Sequence, residues 1–332
     1  MLANHLPDDL FTTEPERVPN RNGYGEGLLE AGKRDERVVA LCCDLTESTR
    51  THLFAEAFPD RFVQVGVAEQ NLASLGSGMA AMGKIPFIAS YAAFSPGRNW
   101  EQIRTTIAYN DQPVKIVGAH AGVSVGPDGA THQMTEDIAV MRAKPNMTVI
   151  APADVHEARK VALAAAQHDG PVYFRVGRSA TPVVTTPQSP FTIGKAECMY
   201  QGDTAAARTV GLVVTGSLLY NALCAAKALE AQGIGASVLH MPTIKPLDND
   251  ALTEFAVAHG QLVTIEEHQV MGGLGGAVVE HLSAVRPTRV ARVGVHDEFG
   301  QSGKPDELIA HYGMDVDGIT AAAEQVLQAA NQ

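Results

Sequence analysis

Two stretches of the chain bring together side chains that can move protons or bind polar groups. The first is His120-Ala-Gly-Val-Ser-Val-Gly-Pro-Asp128-Gly-Ala-Thr-His132-Gln, with two imidazoles and a carboxylate in fourteen positions. Imidazole changes charge near neutral pH and can take or give a proton. A carboxylate accepts hydrogen bonds from hydroxyl groups. Gly122, Gly126 and Gly129 punctuate this run, and their missing Cβ atoms are expected to let backbone and side chains come close to a ligand. The second stretch is Val65-Gly-Val-Ala-Glu69-Gln-Asn71, where an acid follows the apolar run Phe62-Val-Gln-Val-Gly-Val67. A carboxyl group in that place is expected to be partly buried, and desolvation disfavours the charged form of such a group. Taken singly, each histidine reads as a surface or satisfied core group, and Glu69 as a first-turn acid complementing a helix dipole. Their combination points to a site.

The elements that must position these groups follow from patterning. Short β-rich runs alternate with longer helical ones, as in α/β layers built on a parallel sheet. Residues 38–43, 62–67, 85–90, 114–118, 148–151 and 172–176 are expected strands, and 71–82, 98–109, 136–142 and 154–167 expected helices. Asp154 with Glu157 three residues on makes a capping-box pattern. Residues 179–188 are rich in Pro, Thr and Ser and read as an inter-domain linker. A second α/β unit follows, with strands at 210–215, 235–240 and 261–266, a helix at 218–231, and a Gly272-Gly-Leu-Gly-Gly276 turn opening a helix at Ala277. That turn lacks the Gly-x-Gly-x-x-Gly spacing of a dinucleotide site. Close helix–strand packing or a subunit contact is therefore its expected use.

At 332 residues the chain can bury a large core and form two domains. Its 45% hydrophobic and 19% charged residues are those of a globular protein. A net charge of −12 argues against non-specific nucleic-acid binding. Small anionic substrates stay open, because a few local arginines decide that. Cys42, Cys43, Cys198 and Cys224 show no metal-ligand or disulfide-framework spacing. No basic segment precedes an apolar core at the N-terminus, and no apolar run reaches the about eighteen residues of a membrane helix. A cytoplasmic protein with no membrane partner is the expectation.

The Gly-Val-Ala-Glu69-Gln-Asn string resembles the segment of the transketolase pyrimidine-binding domain that carries the cofactor-activating glutamate. Asp128-Gly-Ala-Thr-His132-Gln resembles that family's substrate loop, and Lys144-Pro-Asn-Met147 with Pro152-Ala-Asp154 continues the likeness. The resemblance implies an α/β fold of two doubly wound domains. These are a pyrimidine-binding domain over 16–178, after an N-terminal extension over 1–15, and a transketolase C-terminal domain over 209–332, after a linker over 179–208. It implies thiamine diphosphate as cofactor, activated by Glu69 and bedded on Phe94 and Tyr91, with Leu45 of the Asp44-Leu45 pair wedged beneath it and Val67 beside it. Arg98 competes for a place at the pyrimidine, because the spacing from Phe94 to Arg104 is longer than in one-chain transketolases. Sugar phosphates are the implied substrates, with Arg21, Ser48, Arg178 and His120 at the phosphate end and Asp128 on a sugar hydroxyl. His132 and His120 are the implied catalytic imidazoles. Ala121 stands where ordinary transketolases carry an aspartate, which leaves the donor sugar open.

The family holds Mg²⁺ through a Gly-Asp-Gly run and a later asparagine, oxygen ligands that suit a hard cation. Gly202-Asp203-Thr, Pro127-Asp-Gly129, His168-Asp-Gly170 and Val316-Asp-Gly318 do not fit that pattern. A separate N-terminal, diphosphate-binding subunit is therefore expected to bring Mg²⁺ (or Ca²⁺), with no metal ligands in this chain. Two copies of each subunit, α2β2, would keep the family's twofold symmetry, and this chain alone is expected to be inactive. The implied reaction moves a two-carbon ketol unit from a ketose phosphate to an aldose phosphate, as in the pentose phosphate pathway. One alternative is the β subunit of a 2-oxo acid dehydrogenase, which lacks the His120-to-His132 pattern. Another is a deoxyxylulose-phosphate-synthase-like enzyme, whose family carries an aspartate where His120 stands. A non-catalytic scaffold is the third; retention of Glu69, Asp128 and both histidines argues against it.

Overall fold

The computed structural model describes residues 1–329, so the last three residues of the expected C-terminal domain lie outside the described residues. Seven strands form the larger sheet, in the order Thr243–Lys245, Thr148–Ile150, Val172–Val176, Lys115–Ala119, Ile85–Tyr91, Val38–Cys42 and Phe62–Gln64. All but the first run parallel. Helices cover both faces of such a sheet, so its strands are apolar without alternation. Every residue of Val38–Cys42, Lys115–Ala119 and Val172–Val176 is accordingly buried. From Val38–Cys42 the chain visits Phe62–Gln64 on one side and then crosses to Ile85–Tyr91 on the other. A reversal of this kind opens a crevice at the carboxyl ends of the strands.

The second sheet runs Arg289–Val295, Gln261–Gln269, Thr209–Val214, Gly235–His240 and Glu197–Tyr200, parallel except for the last. Helices Leu219–Ala231 and Val316–Ala329 pack on it through Leu223, Leu229, Ile319 and Val326. Two wound α/β units are thus present, as the alternating pattern predicts.

Long-range contacts account for the departures from that reading. The expected N-terminal extension is not a free arm. Leu2 bridges to Tyr200, the Ala3 N–H donates to the Met199 carbonyl at 3.0 Å, and Leu6 and Leu10 are buried in the core of the second unit. Within the expected linker, Ala180–Pro182 pairs antiparallel with Arg17–Pro19. Thr243–Lys245, on the far side of the linker, closes the edge of the first sheet. Asp154 caps helix Val155–Gln167 through the His156 and Glu157 N–H groups, both at 3.1 Å, and its other oxygen holds the Val184 N–H at 2.8 Å. Glu157 does not complete the capping box, since its carboxylate accepts from the Ala153 N–H at 2.6 Å and lies 2.8 Å from His240 Nε2.

The glycine-rich turn at 272–276 serves packing, as expected. Its helix begins at Leu274, and the Leu274 and Gly275 N–H groups donate to the Glu266 carboxylate at 2.7 and 2.8 Å. The anion that a helix N-terminus attracts is here the protein's own. Nearer the crevice, the strand expected to reach residue 67 ends at Gln64, and the helix expected from residue 71 begins at Glu69. The helix expected over 98–109 is a short turn, Trp100–Gln102, running into a π-helical turn, Ile103–Ala108. Such turns are frequent beside functional sites.

Candidate active site

Most of the residues singled out above lie just past the carboxyl end of a parallel strand. Asp44 and Leu45 follow Val38–Cys42, Glu69 follows Phe62–Gln64, and Tyr91 ends its strand with Phe94 and Arg98 beyond it. His120 follows Lys115–Ala119, and Arg178 follows Val172–Val176. Arg21 approaches separately, on the first turn of helix Asn20–Arg34.

Val67, Glu69, Phe94 and Arg98 line one cavity of about 600 Å³. Phe94 and Arg98, rivals in the sequence, both reach it. Tyr91 stands behind, its ring stacked 6.2 Å from that of Phe94 and 4.1 Å from that of His120. Glu69 is only 5% exposed, while its neighbour Val67 is 77% exposed. The Glu69 carbonyl accepts from Asn99 Nδ2 at 2.9 Å, but among the described residues nothing donates to its carboxylate. The other buried acids, Asp137, Asp154, Glu157, Asp248, Glu266 and Glu267, all accept hydrogen bonds. The Glu69 carboxylate opens instead on the cavity, where a ligand can supply the donor.

Asn99 carries no signal in the sequence, yet it is fully buried and also donates to Ser95 Oγ at 3.1 Å. It therefore ties the Glu69 turn to the loop that holds Phe94. Asp44 has a left-handed backbone, φ 58°, and its N–H donates to Gln64 Oε1 at 2.7 Å. That bond holds the Asp44-Leu45 turn against the strand leading to Glu69.

The remaining candidates form a second cluster. Arg21 Nη1 donates to the Ser48 carbonyl at 2.8 Å and lies 2.8 Å from His120 Nε2. It is the Ser48 carbonyl, then, that engages this guanidinium. A guanidinium only donates, so His120 Nε2 accepts and its proton is assigned to Nδ1, a buried atom with no partner. Burial, followed by the charges of Arg21 and Arg178, pushes the His120 imidazole down to about 3. His120 is therefore neutral at pH 7, a hydrogen-bond donor rather than a cation at the expected phosphate end. Arg178 Nη1 donates to Asp128 Oδ1 and to the Val125 carbonyl, each at 2.9 Å, so two predicted substrate contacts also hold each other. The Nδ1 of His132 is 2.9 Å from Thr131 Oγ1, and its ring meets Phe94 edge-on at 5.5 Å. Phe94 thereby joins the two clusters.

The loop glycines serve a different contact from the expected one. Gly122, Gly126 and Gly129 have φ of 85°, 81° and 73°, where side chains are strained. A Cβ on Gly122 would lie 2.3 Å from Glu267 Oε1, and one on Gly129 would lie 2.7 Å from Ser302 Oγ. They let the loop close on the second unit. Glu267 receives it, accepting from the Ser124 N–H at 2.6 Å and from Ser217 Oγ at 2.9 Å.

Among the described residues, no group of three or more His, Cys, Asp or Glu is arranged to hold a metal ion, and no helix is long and apolar enough to cross a membrane. A partnerless carboxyl beside an aromatic ring suits a flat, nitrogen-bearing heterocycle. The neutral His120 imidazole beside guanidinium groups suits a polyhydroxylated anion.

Residues 16–184 match the pyrimidine-binding domain of transketolase, and residues 203–319 match the transketolase C-terminal domain. The chain is 43% identical over 302 residues to a Methanocaldococcus jannaschii protein described as a transketolase C-terminal section, covering 90% of this chain and 93% of that one. It is 39% identical over 311 residues to a 6-deoxy-6-sulfo-D-fructose transketolase subunit of a Clostridium species, covering 94% and 95%. A solved split-gene transketolase, described as an inactive β4 tetramer, superposes with a TM-score of 0.86 at 43% identity, covering 94% of this chain and 99% of that one.

Proposed function

The chain belongs to the transketolase family as a counterpart of the C-terminal section of split enzymes, and from that premise we propose that it carries half of an active site for ketol transfer. The reaction moves a two-carbon unit from a ketose phosphate to an aldose phosphate. The observation that carries this reading is Glu69, 5% exposed and with no donor to its carboxylate among the described residues, on a cavity shared with Phe94. The residues present fit thiamine diphosphate, the cofactor on which the family depends. When bound, it supplies the carbon nucleophile that carries the two-carbon unit.

In this reading Glu69 holds a proton at the pyrimidine ring nitrogen. Phe94, backed by Tyr91, gives the ring an apolar bed, and Val67, Leu45, Asp44 and Arg98 complete the walls. Asp128 accepts a hydrogen bond from a substrate hydroxyl. His132 moves protons at substrate oxygens, and His120 donates from Nδ1 as a neutral group. Arg21, held on the Ser48 carbonyl, and Arg178 draw the anionic end of the sugar. A separate diphosphate-binding subunit brings Mg²⁺ or Ca²⁺, and α2β2 is the assembly proposed. Relatives of similar length, described as a section or a subunit of transketolases, support a two-chain enzyme. The name of the Clostridium relative ties that protein to a sulfosugar, so the donor is the part of the proposal most in need of measurement.

The test is ketol transfer from xylulose 5-phosphate to ribose 5-phosphate with thiamine diphosphate and Mg²⁺. The chain is assayed alone and then with a diphosphate-binding subunit. Activity only in the mixture supports the shared site. Activity of this chain alone overturns the two-chain reading, and silence of a mixture shown to assemble points to another donor or a 2-oxo acid.

A further inference from the structure

One cation beside the site, Arg50, has no part in the account above. It ends the turn that begins at Asp44, with a left-handed backbone of φ 67°. Its Nε donates to Asn22 Oδ1 at 2.8 Å. Asn22 neighbours Arg21 on the first turn of helix Asn20–Arg34, and Arg21 in turn donates to the Ser48 carbonyl, two residues before Arg50. The two guanidiniums are thus anchored between the same turn and the same helix end. The fit there is close, since a Cβ on Gly25 would lie 2.7 Å from Arg50 Cβ.

Charges at this place are not balanced. Arg178 has Asp128 at 2.9 Å, whereas among the described residues neither Arg21 nor Arg50 has a carboxylate partner. The first turn of the helix holds no acid and no side-chain cap, so its positive end adds to theirs. Arg21 is made more acidic by burial and then by the charge of Arg50, ahead of that of Arg178, as like charges in proximity require. Two cations held together repel one another, and a ligand that neutralises both relieves that repulsion.

We propose that Arg50 joins Arg21 as an anion-binding pair whose two charges select substrates ending in a phosphate dianion over those ending in a singly charged sulfonate or carboxylate. For the reaction this rests on the ketol-transfer reading; for the anion it does not. Phosphate monoesters carry roughly two charges near pH 7, with a second ionisation near pH 6, and offer oxygens that the guanidinium fork binds in pairs. A sulfonate has the same shape and half the charge.

The full chain is titrated with methyl phosphate and with methanesulfonate, read by calorimetry, as native protein, R50N and R50K. Asn tolerates the left-handed backbone, and Lys keeps the charge. The native chain is expected to bind methyl phosphate about tenfold more tightly than methanesulfonate, and R50N to lose most of that preference. R50K is expected to keep part of it. Affinity of the native chain for methyl phosphate, which needs no variant, should rise through about pH 6 as the dianion forms. Equal binding of the two anions, a flat pH response, or an undiminished preference in folded R50N would each overturn the inference. With the partner subunit, kcat/KM for a phosphorylated donor should fall about tenfold in R50N, mainly through KM. Preference lost in R50N while the native mixture fails to transfer ketol units would keep the anion pair and discard the reaction.

Discussion

Glu69 and Glu267 are both glutamates with almost no exposure, 5% and 6%, yet their surroundings are opposite. Glu267 sits where the two units meet, and both of its oxygens are engaged, by the Ser124 N–H and by Ser217 Oγ. Glu69 faces a cavity and accepts nothing at its carboxylate. Burial is common to structural and chemical acids; the supply of donors separates them. A satisfied acid stabilises the fold that surrounds it. One that opens on a cavity, with no donor of the chain's own among the described residues, is free to meet a ligand.

The contrast can be broken most directly at Glu69. In the assembled enzyme, Glu69→Gln should lower ketol transfer by about 10³-fold. Its urea midpoint should stay near the native value, because no donor inside the chain is orphaned. A large loss of stability would place Glu69 with Glu267. The reverse result is expected at a satisfied acid. Asp154→Ala leaves the Val184 and Thr185 N–H groups and the end of helix Val155–Gln167 without an acceptor. It should cost about 3 kcal/mol in chemical denaturation, with turnover per folded molecule nearly native. Asn99→Ala tests whether Glu69 needs to be held: it should lower kcat about tenfold by freeing the Glu69 turn from the Phe94 loop. Equal kcat in that variant would reduce Asn99 to packing.

The smallest effect belongs to His120, whose buried Nδ1 has no partner among the described residues. Its folded value, about 3, lies below the roughly 6.5 of an unfolded histidine. The unfolded chain therefore takes up the proton first as pH falls. Stability is full above about pH 6.5 and declines toward acid by at most about 1.4 kcal/mol per pH unit from this group. His120→Asn should flatten that slope between pH 6.5 and 5 in thermal melts.

Legibility in the sequence followed distance along the chain. The parallel strands were readable because unbroken apolar runs announce burial on both faces. Glu69, Phe94, Asp128 and His132 were readable because each sits in a contiguous string. The charge state of His120 was not, since it depends on burial and then on Arg21, 99 residues away. Arg50 and Asn99 matter through contacts with Asn22 and Glu69, and no local pattern marks them. The loop glycines were visible, but the carboxylate they make room for lies 145 positions beyond Gly122. Leu6 and Leu10 complete a core formed mostly by the far half of the chain, a destination that nothing in the residues around them specifies.

That last contact bears on how the chain is made. Synthesis delivers residues 1–10 long before residue 199, but Leu2 pairs with Tyr200 and the Ala3 N–H with the Met199 carbonyl. The edge strand of the first sheet, Thr243–Lys245, emerges only after Thr209–Val214 and Gly235–His240 of the second. Domains usually fold as units in order of synthesis. Here the first sheet gains its edge strand only after strands of the second have been made, and residues 1–10 meet their partner strand only once residues 197–200 have followed.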